Sequence, residues 1–254
     1  MGNIEFFQFN CLDDNFGVLV HSSQTGETAS IDAPDAAAVN AALAEKGWKL
    51  SHIFVTHHHA DHTQGVASLK KETGCHVIGP NNPAISDLDQ IVGDGDGFQF
   101  AGSTVNVIAT PGHTLDMINF HLPEEKVAFT ADTLFALGCG RVFEGTYHQM
   151  WDSMAKLAAL PPETVIYCGH EYTLANAKFA LTVDGTNPEL VARTAEIEDL
   201  RNQNKPTLPT TLELELRTNP FLRPSDPQIR KNLGMENASD ADVFAEIRKR
   251  KDNA

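Results

Sequence analysis

The chain is short of cysteine, of positive charge and of long apolar runs. Its four cysteines, Cys11, Cys75, Cys139 and Cys168, are scattered through 254 residues without a C-x-x-C pair. Buried free thiols in a reducing compartment are therefore expected, rather than a disulfide framework. Nineteen Lys and Arg stand against 34 Asp and Glu, a formal net charge of −15. Such a surface argues against nucleic acid and against anionic membrane as partners. An anionic small molecule would need a local basic patch, so any Lys or Arg near a site carries extra weight. No apolar run is long enough to span a bilayer, and neither a charged-then-apolar leader nor a lipidation signal is present. A cytoplasmic location is expected. Fixed-period repeats and low-complexity tracts are absent as well.

What is present is a strand-rich first half and a helical remainder. At 41% apolar the chain can bury a real core, as one large domain or one with a small companion. Strands over 4–9, 16–22 and 28–32 read as consecutive and antiparallel, followed by a helix over Ala36–Lys46 capped by Asp35 and closed by Gly47. A buried strand over 51–55, a helix over 63–73 stopped by Gly74 and a strand over 75–78 come next. Residues 80–97 read mostly as loop, with a turn at 94–97, and strand pairs follow near 98–101/104–109 and 117–122/127–131. An amphipathic helix over 147–160 and a last short strand over 164–168 close this part. Beyond about residue 172, helices over 174–181, 188–203 and 241–251, with a proline-broken link at 205–209, predict a mostly helical appendage.

One stretch carries the chemistry. Thr56-His57-His58-His59-Ala60-Asp61-His62 lies between the 51–55 strand and the helix after it, where an α/β sheet collects ligands. His57 and His59 alternate along extended chain and point the same way, while His58 points away and is read as non-ligating. Asp61 and His62 follow where the helix starts. Neutral imidazole with carboxylate suits a borderline metal ion. Three other strands end on matching groups: His113 after Thr110-Pro111-Gly112, Asp132 after Phe129-Thr130-Ala131, and His170 after Cys168-Gly169. Seven donors are too many for one ion and suit two that share a ligand. Two divalent ions, less two aspartates and a bridging hydroxide, leave a net charge of roughly +1 to polarise a carbonyl oxygen, and they bring a bound water's pKa to about 7. That chemistry describes a hydrolase without a serine or cysteine nucleophile.

The H-x-H-x-D-H run at 57–62, with His113, Asp132 and His170 downstream, resembles the metallo-β-lactamase fold over residues 1 to 172. The resemblance implies an α/β fold, a four-layered αβ/βα sandwich with metals at one edge, and a smaller, mostly helical C-terminal domain at 173–254. It places one ion on His57, His59 and His113 and a second on Asp61, His62 and His170, with Asp132 bridging. Catalysis is assigned to Asp61 and Asp132 around a metal-bound hydroxide. Gly138-Cys139-Gly140-Arg141-Val142-Phe143-Glu144-Gly145-Thr146 resembles a loop of the hydroxyacylglutathione hydrolase (glyoxalase II) family. So do Gly169–Thr173, Asn219–Arg223 and Arg248–Asp252. This implies hydrolysis of S-(2-hydroxyacyl)glutathione (S-D-lactoylglutathione) to glutathione and a 2-hydroxy acid (D-lactate), the last step of methylglyoxal detoxification. Arg141, Phe143, Tyr172, Arg248 and Lys251 match positions that hold the glutathione moiety. Phe143 departs from the tyrosine of some members and loses a hydroxyl contact. The metal is expected to be zinc, with iron or manganese compatible, and the chain is expected to act as a monomer.

Glutathione carries a net charge of −1, so Arg141 and the 248–251 cluster are the cationic exception that docking on this acidic chain requires. Asp116, Glu144 and Glu171 are read as structural. Asp14 and Asn15 are read as turn residues, and Asp32 as a partner of a ligand histidine. A persulfide dioxygenase with one iron, a β-lactam or lactone hydrolase, and a metal-free scaffold are the competing readings. The 138–146 loop and the helical appendage argue against the first two, and the complete donor set against the third.

Overall fold

The computed structural model describes residues 4–254. The chain divides into two compact units: Met1–Ala109 with Asp116–Phe129, and Thr110–Leu115 with Thr130–Ala254.

The first unit is built on a six-stranded sheet whose spatial order follows the chain. Its strands are β1 (Ile4–Cys11), β2 (Asn15–Ser22), β3 (Thr28–Ile31), β4 (His52–Phe54), β5 (His76–Gly79) and β6 (Gln90–Ile91). β1, β2 and β3 pair antiparallel, as predicted, and β3, β4, β5 and β6 pair parallel. Parallel neighbours need a crossover, and helices α1 (Ala36–Lys46) and α3 (Val66–Thr73) supply two of them. α1 starts as expected, with Asp35 accepting from Ala37 N–H at 2.9 Å, and ends at Gly47. Val39, Leu43, Val66 and Leu69 on these helices bury against Leu19, Ile53 and Val77 of the sheet.

β7 (Gly97–Phe100), β8 (Ser103–Ala109), β9 (Ile118–Leu122) and β10 (Val127–Ala131) form an antiparallel meander. Phe54 of β4 meets Phe98, Phe100 and Phe120 of this meander at ring-centroid distances of 5.0, 5.2 and 5.4 Å. This aromatic layer joins the two sheets within the unit and fixes where β4 ends. The helix predicted over 63–73 is α3, which starts later, at Val66, and ends at Gly74 as expected; a separate short helix, α2 (Ala60–Thr63), precedes it, with a break at Gly65. A Cβ at Gly65 would lie 2.8 Å from the Ala33 carbonyl oxygen. Gly65 N–H also donates to that oxygen, so the chain bends where it touches the end of β3.

The second unit carries the hairpin β11 (Leu134–Phe135)–β12 (Gly138–Cys139) and helix α4 (Tyr147–Ala158). β13 (Val165–Cys168) follows and pairs antiparallel with a two-residue strand, β14 (Thr210–Thr211). β13 is therefore not the last strand, contrary to expectation: a two-residue strand has no periodicity to read. Helices α5 (Thr173–Asp184), α6 (Pro188–Asn202), α7 (Leu212–Thr218), α8 (Pro227–Leu233) and α9 (Asp240–Asp252) complete the unit. α7 and α8 were not expected. The alternation in Leu212-Glu213-Leu214-Glu215-Leu216 resembles a strand, whereas Asp226-Pro227 before Gly234 was a readable start and stop.

A buried ion pair ties these helices to the hairpin. Glu215 is fully buried and binds Arg193. It also accepts from Leu137 N–H at 2.8 Å and Asn219 Nδ2 at 3.1 Å. Asn219 in turn donates to the carbonyls of Phe135 and Gly138 at 3.1 and 3.0 Å. Removing one partner strands a buried charge. Glu215→Ala is expected to cost about 3–5 kcal/mol in urea unfolding. Glu215→Ala combined with Arg193→Met is expected to cost less than the two singles summed; additive losses would show that the pair is not coupled.

Candidate metal centre

In the first unit, the donors hang from one buried carboxylate. Asp32 and Thr56 follow the ends of adjacent parallel strands, since Ile31 pairs with Phe54. Asp32 has a left-handed φ of 54°, which asparagine and aspartate tolerate best among side chains. From there it accepts Thr56 N–H at 2.7 Å, the Thr56 hydroxyl at 2.8 Å and His62 Nδ1 at 2.7 Å. A carboxylate only accepts, so His62 carries its proton on Nδ1. The Thr56 hydroxyl proton is spent on Asp32, so its oxygen accepts from His57 Nδ1 at 3.0 Å. Both rings are thereby set in the tautomer whose lone pair lies on Nε2, the form a metal takes. The rings of His57 and His59 lie 4.7 Å apart, and those of His57 and His62 4.3 Å. Asp61 Oδ2 stands 3.6 Å from His62 Nε2. His58 turns away as predicted and bonds Asp116 at 2.9 Å, and Asn82 holds the other oxygen of Asp116.

In the second unit, Asp132 sets one oxygen against each of two histidines. Oδ2 lies 3.3 Å from His113 Nε2, and Oδ1 lies 3.3 Å from His170 Nε2. His113 donates Nδ1–H to the Arg141 carbonyl at 2.8 Å, which again puts the lone pair on Nε2. A lone pair and a carboxylate oxygen at that spacing repel each other unless a positive charge sits between them. Two ligands about 2.0–2.1 Å from one tetrahedral ion lie about 3.3–3.4 Å apart, so the spacing and the donor types fit a zinc-like ion. Ala131, just before Asp132, has a φ of 39°, a strained conformation of the kind that accumulates at functional sites.

Of the residues expected to hold substrate, Arg141, Phe143 and Tyr172 lie against the second donor set, and Arg248 and Lys251 lie at Cys139 and Ala175. Gly140 runs so close to Asp132 that a Cβ there would lie 1.9 Å from the Asp132 carbonyl oxygen. Glycine is thus required one residue before Arg141. Phe143 donates N–H to the His113 carbonyl at 3.2 Å and sets its ring, 60% exposed, 5.2 Å from the His113 ring. Tyr172 stacks on His170 at 4.7 Å, nearly parallel. Arg141 Nε reaches Asp252 at 3.3 Å. Lys251 donates to the Ala175 carbonyl at 3.2 Å and lies over Phe179, and burial, then the Arg248 charge, holds its ammonium below its ordinary pKa. Arg248 is only 5% exposed: it binds Asp252, the Cys139 carbonyl at 2.8 Å and the face of Phe221. Glu144 and Glu171 are structural, receiving Leu115 N–H and the Thr207 N–H and hydroxyl.

Sequence reasoning missed three groups here. Asn15, read as a turn residue, donates to Asp61 Oδ2 at 3.2 Å and to the Asp61 carbonyl at 3.1 Å. Thr56 and Asp252 were not singled out at all. No local signal marks Asn15, because its partner is 46 residues away. The four cysteines are buried and free, as expected, and burial pushes the thiols of Cys139 up to about 11 and of Cys11 and Cys168 to about 12. None is a ready nucleophile.

The description of the metallo-beta-lactamase superfamily matches residues 23–170, and that of the hydroxyacylglutathione hydrolase C-terminus matches residues 171–254. Fold and donors together define a metallo-beta-lactamase-superfamily protein, whose histidine and aspartate clusters suit divalent metal. The hydroxyacylglutathione hydrolases of Rhizobium meliloti (strain 1021) and of Rhizobium johnstonii are 58% and 56% identical to it, each alignment covering 100% of both chains. The crystal structure of ETHE1 from Myxococcus xanthus superposes with a TM-score of 0.70 at 28% identity, covering 96% of this chain and 90% of that one. Within the superfamily, the chain belongs to the hydroxyacylglutathione hydrolase family.

The Asp32 carboxylate generates a direct test. Asp32→Asn is expected to lower divalent-metal affinity about 10–100-fold in chelator competition. His58→Ala should leave that affinity unchanged. An Asp32→Asn protein that holds metal as tightly as wild type would contradict the tautomer assignment.

Proposed function

We propose that the chain hydrolyses S-(2-hydroxyacyl)glutathione, S-D-lactoylglutathione for example, to glutathione and the 2-hydroxy acid, here D-lactate. In a cell this would close methylglyoxal detoxification, in the cytoplasm. One observation carries the substrate assignment. Arg141 is bonded through its carbonyl to His113 and, through Gly140, abuts Asp132, so a cationic loop is tied directly to the metal donors. In this reading residues 1–172 are catalytic and 173–254 bind glutathione.

His57, His59 and His113 would hold one divalent ion, and Asp61, His62 and His170 another, with Asp132 bridging. Zinc suits these donors, and all-nitrogen-and-oxygen ligation also admits iron or manganese. Bound there, the ions would supply a water of pKa about 7 and polarise the thioester carbonyl. The overall hydrolysis breaks the carbonyl carbon–sulfur bond, the carbon taking OH and the sulfur taking H from one water. Asp32, Thr56 and the Arg141 carbonyl keep three imidazoles in the ligating tautomer throughout. Asn15 steadies Asp61. Phe143 and Tyr172, each against a donor histidine, would wall the bound thioester, and Arg141 and Lys251 would meet the glutathione carboxylates. Arg248 adds its charge from a buried position.

Contacts that strengthen only in the transition state act on kcat, whereas uniform binding contacts act on KM. Three outcomes are expected in steady-state kinetics with S-D-lactoylglutathione. Chelation should abolish turnover, and zinc should restore it. Asp132→Ala should lose more kcat than His62→Ala or His170→Ala. Lys251→Ala should raise KM about tenfold, the low end for a charge-assisted contact at a rim, with kcat nearly unchanged. Turnover that survives complete metal removal would overturn the reading.

A further inference from the structure

Asp252 is an acidic residue in the part of the chain that would bind an anion, and no role in the reaction proposed above accounts for it. Its carboxylate gathers the groups around it. Oδ1 accepts from Arg141 Nε at 3.3 Å and from Arg248 Nε and Nη2 at 3.2 and 2.9 Å, and Oδ2 accepts from the Tyr147 hydroxyl at 3.5 Å. One carboxylate therefore joins the 138–141 loop to α9.

The two arginines differ in what remains to be fixed. Arg248 is already anchored by the Cys139 carbonyl and by Phe221. Arg141 is the exposed one, with its side chain 56% exposed. An exposed arginine loses much rotamer freedom when it binds a ligand. Asp252 takes the Nε edge of Arg141 while Phe143 lies 6.0 Å from its guanidinium carbon. With Nε engaged, the two Nη groups are left as the end of the guanidinium that can grip a carboxylate with two bonds.

We propose that Asp252 is a positioning residue, which holds Arg141 in the geometry that binds a carboxylate of the glutathione moiety. The inference rests on the glutathione thioester reading and adds to it a residue that does not touch substrate.

Charge and positioning make opposite predictions for Asp252→Asn. If the carboxylate acts only through its charge, removing it beside two arginines draws an anionic substrate in more tightly, and KM falls. If it positions Arg141, that grip is lost and KM rises although the local charge has become more favourable. With S-D-lactoylglutathione and metal content matched, Asp252→Asn is expected to raise KM about tenfold and to leave kcat within about twofold. Asp252→Glu, which keeps the acceptor on a longer arm, should recover part of the loss; a merely structural role would lower kcat and would not be rescued this way. Calorimetry with glutathione alone should show the same weakening without turnover. An unchanged or lower KM in Asp252→Asn, or equal weakening in Asp252→Asn and Asp252→Glu, would overturn the inference while leaving the hydrolase reading intact. Wild-type protein that neither hydrolyses the thioester nor binds glutathione would overturn the hydrolase reading itself, and the inference with it.

Discussion

A buried carboxylate at the end of a strand must be satisfied, and the way Asp32 is satisfied sets the first half of the site. Its oxygens take one backbone N–H, one hydroxyl and one imidazole N–H, all from the segment after β4. Unpaired, that charge would be costly inside the protein; paired, it locks Thr56, His57 and His62 together. The parallel pairing of β3 with β4 makes this possible, because it brings both strands to the same edge of the sheet. The aromatic layer around Phe54 then holds β4 in place. Sheet topology, burial and imidazole tautomer thus form one chain of cause.

In the second unit the same economy recurs with different parts. His113 is oriented by a main-chain carbonyl, that of Arg141, in place of a carboxylate. The bond serves both ends, since it sets the ring and fixes the loop that carries the cation. Gly140 allows the loop to lie directly on Asp132. Behind the loop, Asn219 and Glu215 pin the β11–β12 hairpin from α7. Asn219–Arg223, legible only as a family resemblance, thus contains a physical clamp on the loop that would touch substrate.

The donor histidines were legible because alternation in an extended segment is a local rule, and His57, His58 and His59 obey it. Asp32 was legible from its place at the end of a strand, at the edge where ligands collect. Long-range partners were not. Asn15 meets Asp61 and Asp252 meets Arg141 across distances in sequence that no periodicity spans. The break at Gly65 was hidden because helical pattern continues on both sides, and only contact with Ala33 bends the chain. β14 exists because Thr210 and Thr211 find a partner in β13; two threonines favour extended chain but are too few to show a strand pattern. Arg248, expected to hold the glutathione moiety, has a setting that a basic helix end does not show: the fold buries it against Phe221 and Cys139.

On the proposed reading, His57, His62 and His113, each held through Nδ1, would offer Nε2 to metal, and Asp132 would offer one oxygen to each of two ions. Anomalous diffraction from crystals of the zinc-reconstituted protein tests this most directly, because it locates each ion and its ligand atoms. The account predicts two ions about 3.5–4 Å apart, each bound by one oxygen of Asp132, with His57, His62 and His113 ligating through Nε2. A single ion, ligation through Nδ1, or both Asp132 oxygens on one ion would contradict it.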